Sequence, residues 1–176
     1  MKKYAERFAL KFFQGDEKNV LSRFQEIAKG LHKDDYIIRV CADNPFISPN
    51  LIENMLFKLN RRPIDYISTL RDLPSQPWVD GFGAELVRCQ VLQDLESTNL
   101  TSYDEEHVTS FIKKQPDRYK IAKLQVPSAY NYPKLELDID TQEDLNFIRY
   151  LVSKYQLSPD SDDSVIIEAA YSESLL

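Results

Sequence analysis

The run Tyr36-Ile37-Ile38-Arg39-Val40-Cys41-Ala42-Asp43-Asn44-Pro45 constrains the fold more than any other part of the chain. Its β-branched residues predict a buried strand over residues 35–40, and Asp43-Asn44-Pro45 ends it. A helix start follows at Ser48-Pro49, where a hydroxyl can cap the first turn and proline fits its first position. In open α/β sheets ligands bind just outside the carboxyl ends of strands, and Asp43 lies at such an end. A second acidic group, Asp138-Ile139-Asp140, closes an apolar stretch over residues 135–139 and opens a helix. Alternation along a strand would turn both of its carboxylates to one side. Carboxylates from two strand ends are a donor set that suits Mg²⁺ held against a substrate's phosphates.

The rest of the chain alternates in the same way. Helical periodicity predicts helices over residues 2–8, 19–31 (closed by Gly30), 49–60, 88–96, 103–115, 141–155 and 165–171. Strands are expected at residues 10–13, 66–69, 84–87 and 119–124 besides the two already named. Residues 74–83, Pro-rich and then Gly-rich, read as a loop over a site or between subunits. Thr141 and Asp144 have capping-box spacing. The sum is an α/β fold with a mainly parallel sheet flanked by helices, one domain over residues 1–157, then an acidic turn and short helix over 158–176.

Composition narrows the function. Among 176 residues, 22 Lys and Arg face 28 Asp and Glu, a formal charge of −6, which argues against a generic nucleic-acid surface. No apolar run approaches the ~20 residues of a membrane helix, and no secretory signal follows Lys2 and Lys3. Cys41 and Cys89 read as buried thiols, so a cytoplasmic location is expected. Gly15, Gly30, Gly81 and Gly83 form no glycine-rich phosphate loop.

Each acidic or basic candidate has two readings. Asp43 binds a metal or closes its strand with a turn hydrogen bond, and Asp140 binds a metal or caps the helix that follows. Asp104 and Glu105 favour a helix dipole, while His107 contacts a substrate or is structural. Arg23 binds a phosphate or pairs with an acid. His32 is helix-end chemistry, and Asp160-Ser161-Asp162-Asp163 is a solvated turn without the glycine and distal Glu of a calcium loop.

Four ordered segments resemble the acylneuraminate cytidylyltransferase family, most of all its spore coat polysaccharide biosynthesis branch. They are Phe12-Phe13-Gln14-Gly15-Asp16 through Val20-Leu21-Ser22-Arg23-Phe24, then Ile38-Arg39-Val40-Cys41-Ala42-Asp43-Asn44-Pro45, then Glu106-His107-Val108-Thr109, then Leu137-Asp138-Ile139-Asp140-Thr141-Gln142-Glu143-Asp144-Leu145. Asp80-Gly81-Phe82-Gly83-Ala84-Glu85 is a looser fifth. The resemblance implies a nucleotide-diphosphosugar transferase-like fold and an enzyme that joins CTP to an acidic sugar, releasing pyrophosphate with Mg²⁺ assistance. It implies metal-binding roles for Asp43 and Asp140 and cleft positions for Arg39, Glu85 and His107. The first βαβ unit of the family, with the Arg-, Ser-, Lys- and Pro-rich loop for triphosphate and cytosine, has no counterpart in these residues. Exposed sheet edge, impaired turnover by this chain alone and a possible homodimer are therefore expected. The alternatives are a non-catalytic module that dimerises or binds a partner through residues 74–83 and that edge, and a glycosyltransferase using Asp138 and Asp140 as its D-x-D.

Overall fold

The computed structural model describes residues 2–59, 63–71, 73 and 77–175. The chain divides into two compact units, Met1–Ile37 with Arg88–Tyr119, and Ile38–Val87 with Lys120–Leu176.

In the first unit, helices α1 (Lys2–Arg7) and α2 (Val20–Lys29) precede the first residues of strand β1 (Tyr36–Arg39). Asn19 caps α2 by accepting the Ser22 N–H at 2.9 Å, and Gly30 closes it. Helix α2 packs on α4 (Cys89–Asp94) and α5 (Ser102–Glu106), burying Leu21, Ala28, Leu92 and Leu95. Residues 10–13, expected as a strand, form none, and Leu10, Phe12 and Phe13 are exposed. The single helix expected over residues 103–115 is two, α5 and α6 (Ser110–Lys113). His107 leaves helical geometry between them, at φ −97° and ψ 81°.

Asp104 makes that break stable. It completes a capping box with Thr101, and its carboxylate also accepts the Ser110 hydroxyl at 2.6 Å and the Lys114 ammonium at 2.8 Å. Lys114, then the Ser110 and Thr101 hydroxyls, hold this buried carboxyl well below the usual carboxylate range. A carboxylate whose folded-state pKa is depressed stabilises the fold above its ordinary value and loses that contribution as pH falls further. Asp104→Asn is therefore expected to cost about 2 kcal/mol at neutral pH. The gap from the parent should narrow below the ordinary value of 3.8. Urea unfolding of both proteins at neutral and acid pH measures this, and a gap independent of pH would contradict it.

The second unit holds strands β2 (Tyr66–Ser68) and β4 (Ile121–Lys123), most of β3 (Glu85–Arg88), and helices α3 (Pro49–Leu59), α7 (Gln142–Tyr155) and α8 (Asp163–Ser174). The strand order is β1-β3-β2-β4. β2 runs antiparallel to β3, Tyr66 opposite Val87, and parallel to β4, Tyr66 opposite Ile121. The α/β class is as expected, but the sheet is mixed rather than mainly parallel. Residues 135–139 join no strand among the described residues. They run beside the loop at residues 79–83, where the Asp80 N–H donates to the Leu135 carbonyl at 3.2 Å. β1 is not the buried strand expected. It ends the sheet order, and Ile38 within it and Val40 just past its end are 37% and 44% exposed.

The core of this unit gathers Leu51, Trp78, Phe82, Tyr130, Leu137, Leu151 and Ile167. Trp78 and Phe82 meet Tyr130 edge to face, with centroids 6.0 and 6.1 Å away. Ser48 caps α3 as its position implies, accepting the Leu51 N–H at 3.1 Å. The Ser48 and Tyr130 hydroxyls both donate to Asp163 at 2.5 Å, which ties the start of α3 to the start of α8. Burial and that carboxylate push the Tyr130 phenol up to about 12. The capping box Thr141–Asp144 opens α7. Among the described residues no helix is long and apolar enough to cross a membrane.

Candidate functional site

Three stretches of the second unit are laced together by their backbones. The Ile139 N–H donates to the Asp43 carbonyl at 2.9 Å. The Phe46 N–H donates to the Gly81 carbonyl at 3.1 Å, and the Asn44 side chain to the Gly83 carbonyl at 3.0 Å. Gly81 permits the close approach: its φ is +88°, and a Cβ there would lie 2.5 Å from the Leu137 carbonyl oxygen. The two acidic groups far apart in sequence thus become neighbours.

Their side chains are left free by the local structure. Thr141, not Asp140, is the N-cap of α7, and Asp144 takes the backbone N–H groups of both Asp140 and Thr141. The reading of Asp140 as a cap is thereby corrected. The turn after β1 closes through the Asn44 N–H and the Cys41 carbonyl, with no part for the Asp43 carboxylate. Among the described residues neither carboxylate has a hydrogen bond or ion pair, and both residues are exposed. Asp138, half-buried, sits at a bend of the chain rather than in the expected strand. Burial, then the carboxylates of Asp80, Asp140 and Glu136, push its carboxyl up.

One cation offsets part of this crowding. Arg71 donates to Asp80 through Nε at 3.1 Å and Nη2 at 2.8 Å, to Glu136 at 3.1 Å and to the Pro133 carbonyl at 2.7 Å. It joins the Asp80 turn to the segment that leads into Asp138. Nothing in the sequence flagged Arg71, because its partners lie 9 and 65 residues away.

Arg39 and Glu85, both given cleft positions by resemblance, pair with each other. Glu85 is fully buried and also accepts the Tyr66 hydroxyl at 2.5 Å. Glu85 has no surface for a substrate to touch, whereas Arg39 is half-buried. The nearby Cys41 is half-buried rather than the buried thiol expected, and partial burial pushes its thiol up, whereas Cys89 is buried as expected.

Arg23 and His107 belong to the first unit, the other four residues to the second. Among the described residues Arg23 makes no salt bridge to an acid, and it does not stand clear of its own chain. Its Nε donates to the Asp16 carbonyl at 2.6 Å, and its side chain covers Gly15. Asp16 accepts the Lys18 and Asn19 N–H groups, so the arginine braces the turn entering α2. His107 is exposed and meets the Tyr103 ring at a tilt of 43°, with centroids 4.2 Å apart. Of the loop at residues 74–83, residues 74–76 lie outside the described ones.

Among the described residues no three His, Cys, Asp or Glu side chains form a metal cage of their own. Asp43 and Asp140, with free carboxylates on two segments joined by a backbone hydrogen bond, offer donors of the type Mg²⁺ takes, one or two carboxylates with water and phosphate oxygens filling its shell.

A mixed sheet with helices around it, and two acidic segments joined by a backbone hydrogen bond beyond the end of β1, define a nucleotidyltransferase-like α/β fold. Residues 2–167 match the cytidylyltransferase family, and the chain belongs to it. It is 33% identical over 156 residues to the spore coat polysaccharide biosynthesis protein SpsF of Bacillus subtilis (strain 168), covering 88% of this chain and 62% of that protein. It is 30% identical over 145 residues to an uncharacterized protein of Methanocaldococcus jannaschii, covering 82% of this chain and 57% of the other. The chain thus spans about 60% of the length of the curated relatives it matches. A cytidylyltransferase structure from Leptospira borgpetersenii serovar Hardjo-bovis superposes with a TM-score of 0.84 at 23% identity, over 99% of this chain and 71% of that one, which establishes the fold.

Proposed function

We propose that this chain is a cytidylyltransferase of sugar-acid activation for surface polysaccharide or glycan synthesis, in the acylneuraminate branch of the family. The reaction joins a sugar hydroxyl to the α-phosphate of CTP, and pyrophosphate leaves. The observation that carries the reading is the hydrogen bond from Ile139 to Asp43, which brings two acidic segments together while both outer carboxylates stay free. Asp43 and Asp140 are the residues to hold Mg²⁺, with Asp138 behind them. The ion, when bound, neutralises phosphate charge and fixes the in-line geometry. Arg39, oriented by Glu85 and Tyr66, offers hydrogen-bond donors to a phosphate or a sugar carboxylate. Relationship to a spore coat polysaccharide biosynthesis protein supports the pathway class.

These 176 residues contain no counterpart of the Arg-, Ser-, Lys- and Pro-rich loop that the resemblance assigns to triphosphate and cytosine. The chain alone is therefore expected to bind CTP weakly and turn it over slowly. Pyrophosphate release from CTP, Mg²⁺ and a panel of acidic sugars tests this. Robust turnover would contradict the expected weak binding, and binding of UDP-sugars in preference to CTP would favour glycosyl transfer instead.

Exposed Ile38 and Val40 at the end of β1 favour a second reading, in which the fold serves as a homodimeric or partner-binding module. Sedimentation distinguishes it, since a monomer at every concentration and no partner would remove it.

A further inference from the structure

A cleft of about 300 Å³ lies between the second half of α3 and the chain that follows β4. Leu51, Phe57 and Trp78 give it apolar wall, and the side chains of Asn54, Lys58 and Gln125 are polar. It shares no lining residue with the segments that carry Asp43, Asp138 and Asp140. Its polarity is one-sided: among the described lining residues there is no carboxylate. Lys58 is half-buried, and among the described residues it has no ion pair or side-chain hydrogen bond. Trp78, also in the lining, is 1% exposed, so its ring forms a fixed part of the wall. A half-buried ammonium without a counter-charge favours an anionic partner.

We propose that this cleft binds a small organic oxyanion with an apolar body. The oxyanion would face Lys58, with the Asn54 and Gln125 amides as further donors, and its hydrocarbon part would lie on Leu51 and Phe57. A charged hydrogen bond from an ammonium is about twice as strong as a neutral one, so Lys58 dominates recognition. Carboxylates and phosphate monoesters share this chemistry. The site is independent of any metal at Asp43 and Asp140.

Trp78 is the only tryptophan of the chain, so its indole N–H gives a single resonance in ¹⁵N-labelled protein. Phenyl phosphate, benzoate and neutral benzyl alcohol are titrated against the full chain, followed at that resonance. A saturable shift at millimolar concentration or below is expected with phenyl phosphate or benzoate, and whichever anion acts sorts phosphate from carboxylate. Lys58→Gln should weaken the response about tenfold or more, and Lys58→Arg should keep it. The rest of the spectrum reports whether each variant folds. No saturable shift with either anion, an equal shift with benzyl alcohol, or an undiminished shift in folded Lys58→Gln would overturn the proposal.

Discussion

Glu85→Ala will destabilise the protein by about 3–5 kcal/mol, the range found when one partner of a buried ion pair is removed. Glu85 has no exposed surface and accepts from the Arg39 guanidinium and the Tyr66 hydroxyl. Its loss leaves a half-buried cation and a buried hydroxyl without their acceptor. Replacing both charged partners by methionine should recover most of that loss, because a buried pair exchanged for apolar volume is often neutral. Urea unfolding measures both variants. A cost below about 1 kcal/mol for Glu85→Ala would mean the pair contributes little to the fold. If Arg39 also acts on substrate, the double variant regains stability without regaining turnover.

Asp43→Asn or Asp140→Asn should each lower Mg²⁺ affinity by about a hundredfold or more, since even partners one step removed from a metal change affinity by 10–100-fold. Stability should not fall with it. Neither carboxylate supports a cap, a turn or an ion pair among the described residues, so its charge contributes repulsion to an already acidic neighbourhood. Asp138→Asn should raise the stability of the metal-free protein for the same reason, as the upward displacement of its carboxyl indicates. Stability gained where cation binding is lost is the mark of residues retained for a ligand. Thermal unfolding with and without Mg²⁺ reads both effects, and a large loss of stability in either variant would argue for a structural role.

What the sequence revealed follows from the range of each interaction. Caps are local, and those at Ser48 and at Thr141 with Asp144 were legible from spacing alone. The box at Thr101 and Asp104 was equally local, but the acidic first turn suggested only dipole chemistry, and the break at His107 went unseen. Residues 135–139 alternate like a strand, yet they hydrogen-bond to a loop instead of a sheet. Periodicity reports a buried face and not what covers it. The meeting of Asp43 with the segment at Asp138 to Asp140 was anticipated because both closed apolar stretches before helices. Arg71 and the buried state of Glu85 were illegible, since they depend on partners many residues away. The exposure of β1 shows the limit most directly. Ile38 and Val40 read as core by composition, and only the strand order reveals that they stand at an edge.

A double-mutant cycle on Mg²⁺ affinity, measured by calorimetry for the parent, Asp43→Asn, Asp140→Asn and the combination, bears most directly on the central claim. If both carboxylates grip one ion, the combined variant will bind scarcely worse than either single one. Losses that simply add, or a parent protein that takes up no Mg²⁺ in the presence of CTP, would show that no shared cation joins these residues.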